Sequence, residues 1–184
     1  MKTTLYLMAL TVCGLAAVSR GGVGMVNLSN RVLVGDPIDA PIFMPDCVTR
    51  VCGEDFKASL FLANDTTPIT EITTFYDCSI VAAQGYFKSV PDVEVPGYNG
   101  GDTLSVRVGA WYGAGGLSYV QSPIYGMSDP FPLTLGNASV GGAPPTMPAP
   151  LTGLKSFCLV PEPSTGALCL LGGMVILFHR RREA

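Results

Sequence analysis

The clearest pattern in this chain is the ten-residue stretch TLSVRVGAWY, which runs from Thr103 to Tyr112. Its apolar residues recur at every second position, at Leu104, Val106, Val108, Ala110 and Tyr112, whereas Thr103, Ser105 and Arg107 stand between them. Because side chains alternate between the two faces of a β-strand, this pattern predicts a strand with one face in a hydrophobic core and the other in solvent.

Similar strand signals recur along the middle of the chain, separated by Gly, Pro, Asn and Asp clusters that favour turns. The predicted strands are Met25 to Val34, Ala58 to Ala63, Ile69 to Phe75, Val93 to Val95, Thr103 to Tyr112, Phe131 to Leu135 and Lys155 to Val160. No internal repeat and no ten-residue helical pattern interrupts them. One-sided apolar strands must pair their faces to bury them, so we expect an all-β fold, a small antiparallel β-sandwich of jelly-roll or immunoglobulin-like type.

Composition and charge limit the possibilities further. The chain has 184 residues, which suffices for one domain of ordinary size with targeting segments but not for two domains. We place that domain at residues 20–158, with a Pro/Gly-rich surface loop at 141–150. Residues 20–163 carry seven basic side chains against thirteen acidic ones, a balance of about −6. Such an acidic body disfavours nucleic acid as a partner.

The N-terminal segment, residues 1–19, has the organisation of a secretory signal peptide, in which a basic residue precedes a long apolar run and then small residues. We expect export through the Sec translocon and cleavage by signal peptidase after Ser19, with cleavage after Ala17 or Gly24 as alternatives. A lipoprotein interpretation would use Cys13 as the acylated residue instead.

The C-terminal segment is typical of a short membrane anchor. Residues 165–178 are uninterrupted by charge, and we predict that they form a transmembrane helix. Fourteen residues span only about 21 Å as a helix, short of a hydrocarbon core of about 30 Å. The basic cluster Arg180, Arg181 and Arg182 follows directly and would stay cytoplasmic under the positive-inside rule, with snorkelling arginines supplying part of the missing length. We therefore expect an undersized anchor with a basic membrane stop.

Three features follow one another in this segment: Pro161-Glu162-Pro163, the apolar run and the arginine cluster. In this order, residues 160–184 resemble the PEP-CTERM sorting signal of exported proteins from Gram-negative bacteria. The resemblance implies that an exosortase, a membrane-embedded cysteine transpeptidase, cuts near the Pro-Glu-Pro motif and hands the domain to another acceptor. It also implies an intermediate anchored in the inner membrane and a final location in the cell envelope or extracellular matrix. The alternative is an ordinary tail anchor with an incidental Pro-Glu-Pro.

Four cysteines, Cys47, Cys52, Cys78 and Cys158, fall in the part of the chain that is expected to be exported. An even number of cysteines in an oxidising compartment predicts disulfides, for which three pairings are possible. We expect Cys47–Cys52 to close a short turn and Cys78–Cys158 to tie the middle of the domain to its last strand. A metal site would need CxxC-like spacing or histidines, so we expect no metal and no cofactor.

The only histidine in the sequence, His179, lies beyond the predicted membrane segment. A histidine-dependent base, a catalytic triad and an imidazole metal site are therefore excluded from the domain. Glycosidases use two carboxyl groups, and carboxylates do occur close together in the sequence. The close pairs are Glu54 with Asp55, Asp36 with Asp39, and Asp92 with Glu94. Solvated loop carboxylates are the simpler interpretation, so we predict no catalytic residue and no enzymatic activity.

Aromatic residues cluster at the end of the central strand, where Trp111 and Tyr112 are followed by Tyr119 and Tyr125. Aromatic faces at the edge of a sandwich can stack on sugars, for which Trp111 and Tyr112 are the candidates, but packing in the core and at its rim is the simpler interpretation. We expect a non-enzymatic exported surface or extracellular-matrix protein. The alternatives are a carbohydrate-binding module for exopolysaccharide and a carboxylate-based glycosidase.

Overall fold

The computed structural model describes residues 22–137 and 145–162. The strands in these ranges are β1 Val23–Leu28, β2 Arg31–Val32, β3 Ile38–Asp39, β4 Ile42–Phe43, β5 Phe56–Leu62, β6 Thr73–Thr74, β7 Val90–Asn99, β8 Thr103–Tyr112, β9 Ile124–Met127, β10 Phe131–Thr134, β11 Gly136–Asn137, β12 Ala149–Pro150, β13 Phe157–Cys158 and β14 Val160–Pro161. Single-turn 3-10 helices lie at Val81–Ala83, Ala114–Gly116 and Tyr119–Gln121. The prediction of an all-β fold is confirmed, with mainly antiparallel pairing.

The larger sheet is built around β8, whose bounds are those predicted from the sequence. Strand β5 pairs with β8 in antiparallel register over seven residue pairs. Strands β9 and β10 share the other edge of β8, and a break separates them. Ser128 lies buried in that break, and its hydroxyl accepts a hydrogen bond from the backbone N–H of Val108 at 3.0 Å. The Ser128 hydroxyl therefore takes the place of a backbone acceptor for β8 in the gap between β9 and β10.

The second sheet is built around β1. Strand β7 lies antiparallel on one side of β1, while β11 and β12 share the other side. The chain passes from this sheet to the larger one in the tight turn between β7 and β8. In that turn the carboxylate of Asp102 accepts a hydrogen bond from the backbone N–H of Asn99 at 2.8 Å, and Gly101 adopts a φ of 89°. The two longest strands thus belong to different sheets.

Both sheets contribute to one hydrophobic core. Val106 and Val108 of β8 and Val26 of β1 are fully buried in it. On the opposite face of β8, Thr103 and Ser105 are exposed, as the alternation in the sequence predicted. Burying an aliphatic side chain of this size contributes roughly 1.5–3 kcal/mol, so this shared core is the main force that holds the two sheets together.

The predicted strand over residues 25–34 is wrong in its middle, where the buried side chain of Asn30 takes over the hydrogen bonding. Its Nδ2 group donates to the carbonyls of Ala40 at 2.9 Å and Gly85 at 3.0 Å, and its Oδ1 accepts from the N–H of Phe87 at 3.1 Å. A short amide side chain can replace a backbone partner in this way, and so it ends one strand before the next begins. We call this arrangement the Asn30 clasp.

The prediction of a surface loop over residues 141–150 is wrong at its end. Strand β12, Ala149–Pro150, pairs in parallel with β1, and Leu151 directly after it is fully buried in the core. A two-residue contact at a sheet edge needs few N–H donors, so Pro150 is tolerated there. Residues 138–144, which include the first part of the predicted loop, lie outside the described residues.

Several predicted segments also lie outside the described residues. They are the signal peptide of residues 1–19, Pro163 of the sorting motif, the membrane helix of residues 165–178 and the arginine cluster of residues 180–182. Over residues 22–137 and 145–162, no helix combines the length and the apolar character that crossing a bilayer requires.

The Asn30 clasp provides a direct test of the fold. We expect Asn30→Ala to lower the free energy of unfolding by about 2–4 kcal/mol, because it leaves the carbonyl of Ala40 and the N–H of Phe87 buried without partners and leaves the carbonyl of Gly85 only its bond from the N–H of Ile42. Urea denaturation of the purified protein measures this loss. Asn27→Ala is the matched control, because the side-chain oxygen of Asn27 is buried without a hydrogen-bond partner among the described residues. Equal losses in the two variants would contradict the role of the clasp.

Candidate functional site

The last described residues, 157–162, are held by one disulfide, through Cys158, and by pairing with two strands, β4 and β9. Strand β13 pairs in parallel with β4, and the N–H of Leu159 donates to the carbonyl of Phe43 at 2.8 Å. Strand β14 then pairs in antiparallel register with β9. Leu159 is 1% exposed and lies between the two strands. A single buried side chain therefore anchors the last residues before the predicted sorting motif.

The first two residues of the predicted motif lie at this sheet edge. Pro161 stands opposite Ile124, and the backbone N–H of Glu162 donates to the carbonyl of Pro123 at 2.8 Å. Both motif residues are exposed, as is Val160 before them. Proline is tolerated at such an edge because it has no N–H to leave unpaired. The motif thus begins as extended backbone on the surface of the domain.

The predicted disulfide pairing is wrong. The structure pairs Cys47 with Cys158 and Cys52 with Cys78, with Cα–Cα distances of 5.3 Å and 5.0 Å. The reason is a hairpin in residues 42–51, in which Val51 pairs with Ile42. Cys47 lies in the turn of that hairpin, whereas Cys52 follows its second arm. A strand rises about 3.3 Å per residue, so turn and base are too far apart for a bond that needs Cα atoms within about 7 Å.

The Cys47–Cys158 bond fastens the C-terminal segment to the body of the fold. It joins residues 111 positions apart, and Cys158 stands three residues before Pro161. In the chain-entropy model a loop of this length gives a stabilisation of about 4–5 kcal/mol. A pull on the chain beyond the motif would therefore dislodge only one core side chain, that of Leu159, before it reached a covalent bond.

Trp111, the main candidate for stacking on a sugar, is buried, so packing in the core, the simpler interpretation, holds for it and sugar stacking does not. Trp111 is 1% exposed, and its indole N–H donates to the carbonyl of Leu117 at 3.0 Å. The rings of Phe61 and Tyr119 pack edge-on against it, with centroids 6.2 Å and 5.9 Å away. The loop after β8 folds back over the indole. No local sequence pattern predicts this fold-back. Tyr112 is half-buried and packs against a neighbouring phenyl ring.

Two of the predicted carboxylate pairs are engaged with other side chains. Glu54 forms an ion pair with Lys88 at 2.7 Å, and the hydrogen bond and charge of Lys88 lower the pKa of Glu54. Asp39 accepts a hydrogen bond from the hydroxyl of Tyr86. Neither pair presents two carboxyl groups across a cleft, which is the arrangement that glycoside hydrolysis needs.

The third pair lies in an open groove. Asp92 and Glu94 line it together with Glu71, and its volume is about 710 Å³. All three side chains are exposed, so none has the apolar surroundings that distinguish a general acid from its partner carboxylate. In the part of the chain that the structure describes, no three His, Cys, Asp or Glu side chains gather in a way that could hold a metal ion.

Sequence reasoning missed the surface on which the motif segment rests. Gly126 of β9 makes that contact possible, because a Cβ atom there would stand 2.8 Å from the carbonyl oxygen of Cys158 and 3.1 Å from the Cα of Leu159. An isolated glycine within a strand is a known sign of close backbone approach, so this signal was present in the sequence. What the sequence could not supply was the identity of the approaching segment.

Comparison with known proteins gives no match to a family model, to a curated protein or to a solved structure.

The two disulfides allow a test of how the motif segment is held. We expect Cys47→Ser/Cys158→Ser to speed amide hydrogen exchange of residues 157–162 by about tenfold or more, because the segment then opens without breaking a covalent bond. Mass spectrometry of the exchanged peptides measures the effect. Cys52→Ser/Cys78→Ser is the control and should leave these amides near their original rate. Equal rates in both variants would show that the Cys158 bond does not hold the segment.

The aromatic cluster around Trp111 generates a pH prediction. Burial raises the pKa of Tyr119 to about 12, and Tyr125 adds to the effect while Arg107 opposes it. Because the phenol has an ordinary pKa of about 10 when unfolded, its contribution is complete below pH 10 and is lost as the pH rises through about 12. We expect the free energy of unfolding to fall by up to about 3 kcal/mol over that window, measured by urea titrations.

Tyr119→Phe is the control for this prediction, because it keeps the packed ring and removes the titrating hydroxyl. Its stability should fall less over the same pH window. If the variant and the original protein lost stability in parallel, the buried phenol would not be the cause.

Proposed function

We propose that this chain is a non-enzymatic surface or matrix protein, exported by a Gram-negative bacterium through the Sec route. Its two sheets form a small β-sandwich, which is held at the inner membrane by the C-terminal helix. An exosortase then processes it at Pro161-Glu162-Pro163 and releases the domain to the cell envelope or the extracellular matrix. In this proposal the chain is the substrate of a sorting reaction and catalyses none itself.

The observation that carries the proposal is the position of the motif, which follows the last disulfide and the last buried residue of the described chain. The last strand, β14, runs into the motif itself, and the last covalent tie, at Cys158, stands three residues before it. Every buried residue of the described core precedes Val160 in the chain. A cut at the motif would therefore remove none of the buried residues of the described core. This is the arrangement expected of a body that must survive the loss of its anchor.

The extended backbone at the motif supports recognition by a protease-like enzyme. Proteins that bind peptides commonly take them as an added strand, with main-chain hydrogen bonds to an extended segment. The first two motif residues, Pro161 and Glu162, are exposed and are held to β9 by few hydrogen bonds, among them that of Glu162 to Pro123. An enzyme could therefore lift the segment from β9 at low cost.

The two disulfides support the proposed route. Disulfides persist in compartments outside the reducing cytoplasm, and Cys47–Cys158 and Cys52–Cys78 together use all four cysteines of residues 20–158. The carbohydrate-binding alternative required an exposed Trp111 ring, and this ring is buried in the core. No observation on the described surface favours a glycosidase over solvated carboxylates.

The proposal is tested by comparing cells with and without an exosortase. We expect the domain to reach the envelope or medium as a shortened species in the first strain and to stay in the membrane fraction at full length in the second. Immunoblotting of fractionated cells with an antibody to the domain measures both. The variant Pro161→Ala/Glu162→Ala/Pro163→Ala should behave in the first strain as the original does in the second.

Glu94→Ala is the control for this variant, because Glu94 is an exposed carboxylate far from the motif in sequence. It should be processed normally. Identical size and location of the original protein in both strains would overturn the processing step and leave an ordinary tail anchor.

A further inference from the structure

Two arginines meet one tyrosine on the surface of the domain. The guanidinium carbon of Arg31 lies 4.8 Å from the centroid of the Tyr86 ring, and that of Arg50 lies 5.9 Å from it. Tyr86 is 5% exposed, and its hydroxyl donates to the carboxylate of Asp39. Burial and the hydrogen bond to Asp39 raise the pKa of Tyr86, so its hydroxyl stays protonated at neutral pH. We call this group the Arg31–Tyr86–Arg50 cluster.

The cluster is held in place by the Asn30 clasp. The clasp binds the backbone at residues 40, 85 and 87, and these residues are immediate neighbours of Asp39 and Tyr86, as Asn30 itself is of Arg31. Next to Arg50, the carbonyl of Val51 accepts a hydrogen bond from the N–H of Gly85 at 2.7 Å. The buried amide of Asn30 and this one backbone bond therefore fix the backbone at Arg31, Arg50 and Tyr86, and at Asp39 beside them. Preorganisation of this kind reduces the cost of binding a ligand.

The donors of the two guanidiniums are largely unused. Arg31 donates one hydrogen bond, from Nη1 to the carbonyl of Ala82 at 2.8 Å. Among the described residues, the Arg50 guanidinium donates none, and neither arginine takes part in an ion pair. Stacking on an aromatic ring occupies the face of a guanidinium and leaves its in-plane N–H groups free for a planar anion. The charges that act on Tyr86 are those of the two arginines and of Asp39, so the site is positive at this ring on a domain whose balance is about −6.

A small cleft opens beside Arg31 and Tyr86. Its volume is about 250 Å³, and hydroxyl groups and aromatic rings share its lining. The lining residues are Ser29, Arg31, Tyr76, Ala83, Tyr86, Phe87 and Ser89. Clefts that hold drug-sized ligands usually measure about 300–1,000 Å³, so this one suits a single small polar unit. The hydroxyls of Tyr76 and Ser89 can serve such a unit as donors or acceptors.

We propose that the Arg31–Tyr86–Arg50 cluster and its cleft bind a carboxylated sugar unit, with the carboxylate on Arg31 and the sugar hydroxyls on the cleft lining. Arg31 lines the cleft and makes the direct contact, whereas Arg50 lies outside the lining and acts through its charge. This inference deepens the proposed function, since a displayed domain would meet such units on acidic polysaccharides. The binding itself does not depend on export or processing.

Isothermal titration of the full chain, purified in detergent, tests this with sodium glucuronate and a galacturonate oligomer as probes. We expect both to bind, with a Kd below about 10 mM for the monomer. Glucose tests the need for the carboxylate, and sodium sulfate tests whether any small anion suffices; both should bind at least about tenfold more weakly. Failure of glucuronate and the oligomer to bind, or sulfate binding as tightly as glucuronate, would overturn the proposal.

Four variants locate the site. Arg31→Gln should weaken glucuronate binding by about tenfold or more, and Arg31→Lys should weaken it nearly as much, because lysine keeps the charge and loses the planar fork. Arg50→Gln should weaken it only about threefold and by less in high salt, because its contribution is long-range charge. Lys155→Gln is the control and should have no effect. Circular dichroism and thiol titration confirm that each variant is folded and oxidised.

Equal binding by the original protein and Arg31→Gln would place the ligand elsewhere and overturn the assignment. Because the titration is done on purified protein, it is independent of sorting. If processing failed in cells while glucuronate still bound, the proposed function would be wrong and the site would stand; the reverse result would remove the site alone.

Discussion

Three segments that are far apart in the sequence meet at the side-chain amide of Asn30. It holds the strand end that follows β1, the segment between β3 and β4 and the segment around Tyr86 with three hydrogen bonds, all in a fully buried place. A buried amide is stable only when its donors and acceptors are used, so the geometry of the three segments is coupled. The surface cluster of Arg31, Tyr86 and Arg50 lies next to these bonds in the chain, so its geometry depends on them.

The second constraint on the structure lies at the C-terminal end of the described residues, where the chain leads into the motif. A hairpin turn carries Cys47 to Cys158, and Gly126 lets the last strand approach β9 closely. The result is a body whose covalent ties end just before an exposed, extended motif. All the buried residues of the described core precede Val160, so they stay in the chain whether or not the residues beyond the motif remain attached. That separation of body and anchor is the physical basis of the proposed sorting function.

The sequence was informative where the determining interactions are local. Strand β8 was predicted to the residue because apolar side chains recur at every second position from Leu104 to Tyr112. The disulfide pairing was wrong because it depends on a hairpin that forms around Cys47, and the sequence pattern contained no sign of where its turn would lie. The sequence could not decide between surface and core for Trp111 for a related reason, because the loop that covers it follows β8 and returns through a contact with Leu117. Long-range contacts decided each of these outcomes.

If the domain is closed by two disulfides and ends at a removable anchor, both properties can be read from the mass of the intact protein by mass spectrometry. The protein is isolated from the envelope or medium of cells that contain an exosortase and is weighed without reduction. The account predicts a single chain that ends at or near Pro161–Pro163, with a mass lowered by the four hydrogens that Cys47–Cys158 and Cys52–Cys78 remove. A chain that extends to Ala184, or one with free thiols at these cysteines, would contradict it.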